Sequence, residues 1–151
     1  MRIFSSAIIL AVGLGVVSAG VTVGAQADRV TIAQHEATMK MIAQNNGAMQ
    51  KALKGNMLAD AGKSAMELER LFTTVEQFWT QHKKDDAMKL AQTAKMGAAD
   101  VAAAIKANDQ AKAMMAAGNL GGTCKQCHGT YREGGPQDGG YRIKADAKIM
   151  D

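Results

Sequence analysis

The chain has a single proline, Pro136. From about residue 29 up to it, apolar side chains recur at three- and four-residue steps, the spacing of one face of an α-helix. Ile32, His35, Met39, Ile42, Asn46, Met49 and Leu53 trace the first stripe, over about Arg29 to Lys54, with Gly55-Asn56 as a stop. A second runs from about Leu58 to Gln81 through Ala61, Ala65, Leu68, Phe72, Val75 and Trp79, with His82-Lys83-Lys84 as a basic end. The third begins near Asp85-Asp86 and shows Leu90, Ala94, Gly97, Val101 and Ile105. Asn108-Asp109 then marks a break and an N-cap. The fourth carries Ala111, Met114, Leu120, Cys124, Cys127, His128 and Tyr131. Four helices of about 20 residues with short turns predict an all-α, antiparallel up-down-up-down four-helix bundle. The small residues on the inner faces let helices approach closely and leave room for something flat.

Flanking segments divide the chain further. Residues 1–27 read as an export signal: Arg2, an apolar run from Ile3 through Val23, and the small-x-small end Ala25-Gln26-Ala27. Cleavage there makes Asp28 the first mature residue and the protein periplasmic; an uncleaved anchor is the alternative, because the run is long. Residues 28–133 then form the helical domain. Residues 134–151, opening with Gly134-Gly135-Pro136-Gln137-Asp138-Gly139-Gly140, are expected as loop and tail. No second stretch is apolar enough to span a bilayer, so no stable membrane insertion is expected after cleavage. A net charge of +4, one less without Arg2, is too small and dispersed for nucleic acid and permits only loose docking to an acidic partner.

The only two cysteines stand in Cys124-Lys125-Gln126-Cys127-His128. C-x-x-C-H is the attachment run of c-type haem. On a helix its three functional residues share a face. Two thiols reach the vinyl groups along one porphyrin edge, and the adjacent imidazole reaches the iron as proximal ligand. One covalent haem c is therefore expected near the C-terminal end of the fourth helix, on Cys124, Cys127 and His128. A C-x-x-C pair also serves as a redox disulfide or half of a zinc site. The first expects a βαβ setting that the pattern lacks. The second needs about four ligands, and only the distant His35, His82 and carboxylates remain. Gly118, Gly121 and Gly122, just upstream, either bring backbone near a porphyrin or mark a kink.

An exported four-helix pattern with C-x-x-C-H near its C-terminal end resembles the class II c-type cytochromes, the cytochrome c-prime family. Cys124-x-x-Cys127-His128-x-x-Tyr131-Arg132 matches that family's ending, and Phe78-Trp79 followed by Asp85-Asp86-Ala87 is similar to its low-spin branch. The resemblance covers about residues 29 to 133. It implies that His35-Glu36-Ala37-Thr38-Met39 occupies the distal register, where the family has Arg-x-x-x-Met or an apolar residue in place of Met. Met39 then is the sixth iron ligand and the haem is low-spin. His35 stands where the family has arginine and is the rival ligand. Most of the 11 methionines must be core filler. Arg132, four residues after His128, either pairs with a haem propionate or is solvated. Trp79 touches haem or is simply core, and His82 caps its helix. The segment Gly140-Tyr141-Arg142-Ile143-Lys144 extends past the family core, with no role assigned.

With both axial positions filled there is no open site for a substrate, so the expectation is a one-electron carrier and not an enzyme. Its partners would be unidentified redox proteins, docked weakly, and a homodimer is possible. A gas-binding protein for NO or CO is the alternative, if Met39 leaves iron open. A peroxidase-like enzyme is the third reading, with His35 as the one evident acid-base group.

Overall fold

The computed structural model describes residues 29–149, so the expected export signal, residues 1–27, lies outside the described residues. Four helices make up the body: α1 (Ile32–Lys54), α2 (Leu58–Gln81), α3 (Asp85–Lys106) and α4 (Gln110–Tyr131). Their ends follow local chemistry. Thr31 and Gln34 form a reciprocal capping box at the start of α1: the Gln34 amide donates to Thr31 Oγ1 (3.2 Å) and the Thr31 amide to Gln34 Oε1 (2.8 Å). That box begins the helix three residues later than Arg29. Asp85 and Asp86 sit in the first turn of α3, where carboxylates favour the helix dipole. Asp109 caps α4 by accepting from the Lys112 amide (2.9 Å). Asn56, Lys83 and Asn108 each take a left-handed conformation and turn the chain between helices.

Consecutive helices pack as neighbours, giving the up-down-up-down four-helix bundle. The core combines Leu68, Leu71, Phe72, Phe78 and Trp79 of α2 with Met49 and Leu53 of α1, the alanines of α3, and Leu120 of α4. Gln81 reaches across from the end of α2 to accept from the Val30 amide (3.0 Å), pinning the start of α1. Among the described residues no helix is long and apolar enough to cross a membrane.

Two expectations need correction. In α4 the buried positions are Ala113, Ala117 and Leu120, whereas Ala111 and Met114 are exposed. Small alanines let α4 lie against α3 more closely than a face carrying Met114 would allow. The C-terminal segment is also not a loop. Strands β1 (Arg132–Gly135) and β2 (Gly140–Ile143) form an antiparallel hairpin, joined by a 3-10 turn at Pro136–Asp138. Strand β1 thus crosses the expected boundary at 133/134. The glycines that signalled a loop supply the hairpin's backbone: Gly134, Gly139 and Gly140 all have positive φ. α4 itself runs unbroken through Gly118, Gly121 and Gly122, and an added Cβ at any of the three would meet nothing within 4 Å.

Candidate functional site

Cys124, Cys127, His128 and Tyr131 share one face of the last two turns of α4, as positions three, four and seven apart must. His35, Met39, Ile42 and Asn46 do the same on α1. Both faces line a single cavity of about 670 Å³, within the range of small-molecule and cofactor sites. Phe72, Val75 and Trp79 of α2 and Leu90, Ala91 and Ala94 of α3 add apolar wall. Helices α1 and α4 make little direct contact, and the cavity occupies the seam between them. The structure therefore brings every expected site residue to one place: Cys124, Cys127, His128, Met39, its rival His35, and Arg132 at the rim.

The cavity is a poor place for charge. Burial, then the charges of Cys124 and Asp86, push the Cys127 thiol up to about 11, and burial also raises Cys124. Redox-active C-x-x-C pairs work through a lowered thiol, so these neutral thiols argue against a dithiol reductase. Burial, and then Arg132, lowers His128, which keeps its imidazole neutral and suited to a metal. Among the described residues no group of three or more His, Cys, Asp or Glu side chains is arranged to hold a metal ion by itself. The zinc alternative thus lacks its ligand set.

His35 is the least expected feature. It is 5% exposed, and neither ring nitrogen has a hydrogen-bond partner. Its ring stacks on Phe78 at 4.2 Å and meets the edge of Trp79 at 5.5 Å. Burial, then the nearby His128 and His82, lowers its pKa to about 4, so it is a neutral imidazole. Trp79 Nε1 is also buried without a partner, and Trp79 packs on Tyr131 at 4.7 Å. Unsatisfied buried polar atoms are uncommon in native folds and call for an explanation. Three of them gathered beside one cavity suit a guest that carries polar groups of its own. A large apolar cavity, a C-x-x-C-H run on its wall and these orphaned atoms fit haem c.

Sequence reasoning missed two parts of the site. Tyr131 donates its hydroxyl to Asp86 Oδ2 (2.6 Å), tying the end of α4 to the start of α3. The hairpin adds Pro136, Gly140, Tyr141, Arg142 and Ile143 to the cavity lining. Arg132 lies over the Tyr141 ring, 4.1 Å from its centroid. His82 ends α2 as its C-cap, with its ring 4.6 Å from Phe78.

A model of the Cytochrome C' family matches residues 75–132, from the last two turns of α2 through the C-x-x-C-H run. The match supports a class II c-type cytochrome, and that family implies haem c binding. No curated protein and no solved structure matches the chain.

Proposed function

We propose that this chain is a haem-containing c-type cytochrome, a periplasmic one-electron carrier with one covalent haem c. Cys124 and Cys127 would carry the thioethers, and His128 and Met39 the two axial positions. The supporting observation is the placement of Met39 and the C-K-Q-C-H run on different helices of the same cavity. The bound group supplies a one-electron iron couple, whose potential a Met/His ligand pair raises. The chain does the rest. Apolar side chains from α2 and α3 would give the bound group a low-dielectric wall. Neutral His128 and a soft, uncharged Met39 thioether favour the reduced metal. Tyr131, bonded to Asp86, holds the helix turn that carries His128. Arg132 at the rim is placed to meet a propionate. With both axial positions taken, the protein would not act as an enzyme. Its partners would be redox proteins met through small, short-lived interfaces; a second copy of the chain is a further candidate. Residues 1–27 would direct export and be removed.

The optical spectrum with and without CO tests this. The purified protein should be low-spin in both oxidation states and bind CO poorly. Met39→Ala should turn the iron high-spin, admit CO and lower the potential. If that variant leaves the spectrum unchanged while His35→Ala alters it, the ligand is His35. A wild type that is already high-spin and takes up CO or NO identifies a gas-binding protein instead.

A further inference from the structure

The hairpin is built too specifically for a trailing end. Glu133 and Arg142 face each other across the strands, with Arg142 Nε 3.1 Å from Glu133 Oε1. Gly134 is required where it stands: its φ is +77°, and a Cβ there would sit 2.5 Å from the Gly140 carbonyl oxygen. The far end is moored to α4. The Lys144 amide donates to the Tyr131 carbonyl (2.9 Å) and Lys144 Nζ to the Gly129 carbonyl (3.0 Å). Ala147, just beyond, is buried, and Ile143 packs against the core.

A two-stranded hairpin of four-residue strands has little stability of its own and needs an apolar surface to lie on. Here Tyr141, Arg142 and Ile143 line the cavity shared with Cys127 and His128. We infer that the C-terminal hairpin is a fixed wall of the haem site, in which Tyr141 and Ile143 shield the macrocycle from water and Arg142, paired with Glu133, neutralises that carboxylate and holds the strands in register. This inference rests on the haem reading of the cavity. Water stabilises the more highly charged ferric state, so a covered site has a higher potential than a bared one. Arg142 acts in the same direction by pairing with Glu133, a carboxylate that would otherwise stabilise the ferric state. The hairpin is thus a determinant of potential and of access for small oxidants.

Two forms of the holoprotein test it: the chain truncated after Glu133, and full-length Gly134→Val, which breaks the strand register without changing charge. Midpoint potential and the rate of ferrous oxidation by dissolved oxygen are measured for each, alongside wild type. Both variants should keep covalent haem and helix content. Their potential should fall by the equivalent of about a tenfold change in the ferrous-to-ferric ratio, ~59 mV for one electron, and oxidation should speed up. Arg142→Gln should lower the potential less and leave the oxidation rate near wild type. Haem-loaded variants with unchanged potential and rate would overturn the inference. If truncation prevents folding, Gly134→Val decides alone. A wild-type protein without covalent haem would instead overturn the cytochrome reading beneath it.

Discussion

Helices α2 and α3 pack along each other's length, whereas α1 and α4 are held apart by the cavity. The two halves are built from different residues. On the closed side α3 presents Ala87, Ala91, Ala94, Ala98, Val101 and Ala104, all buried, to the large side chains of α2. A Cβ added at Gly62 of α2 would meet the Ile105 side chain at 3.4 Å, and Glu76 receives both Gln92 (2.8 Å) and Lys95 across the interface. On the open side, Met39, Asn46 and Cys124 are only half-buried. The closed half is packed along its interface; the open half has apolar surface that needs a guest, and the orphaned polar atoms of His35 and Trp79 border it from α1 and α2. Folding strength and function have been assigned to different seams of one bundle.

Removing the guest should separate the two halves most sharply. Cys124→Ala with Cys127→Ala should abolish covalent haem completely, read as the bare polypeptide mass after acid-acetone extraction. Amide hydrogen exchange should then accelerate in α1 and α4 while α2 and α3 stay protected. Uniform acceleration over all four helices would mean that the closed half has no independent stability. A smaller effect separates single side chains. Leu68 is fully buried, so Leu68→Ala should cost about 2–5 kcal/mol in urea unfolding. Met39→Ala, measured on the haem-free chain, should cost well under that because Met39 already borders empty space. Equal losses would show that the cavity collapses without its guest.

Much of this division was legible in the sequence. Helical periodicity located all four helices, since turn residues such as Asn56 and Asn108 punctuate them sharply. The C-x-x-C-H spacing pointed to one face of α4 before any packing was known. The phase of α4 was harder to read. Met114 is more hydrophobic than Ala113, yet close helix packing selects the smaller side chain. The hairpin was hidden because glycine-rich composition marks both loops and tight turns, and only the pairing of Gly134 with Tyr141 distinguishes them. His35 carried no signal for its lost partners: burial and an unsatisfied ring are properties of the packed state. Tyr131 and Asp86, 45 residues apart, are joined only by the antiparallel course of α3 and α4.

That last pair gives the smallest and most local test, because it ties the two halves together. The Tyr131 hydroxyl bond, followed by backbone amides at the start of α3 and by Lys84, holds the Asp86 carboxyl below the ordinary carboxylate range. A depressed folded-state pKa means that the unfolded chain binds the proton more tightly. The contribution to stability is therefore present above the unfolded value, near 3.8, and is lost as pH falls through the lower folded value. Asp86 is exposed, so screening keeps the bond toward the low end of about 0.5–1.5 kcal/mol. Tyr131→Phe should lose that amount at pH 7 and show a shallower decline of stability below pH 4 than wild type. On the alkaline side, burial and then the Asp86 bond push the Tyr131 hydroxyl up to about 12. Its contribution is thus complete below the unfolded tyrosine value and fades as pH rises toward 12, a limb that Tyr131→Phe removes. Urea titrations at several pH values read both limbs. If the acid limbs of variant and wild type superimpose, the hydroxyl does not bind Asp86 in solution, and the link between the closed half and the turn that carries the C-x-x-C-H run must lie elsewhere, in the packing of Trp79 on the Tyr131 ring.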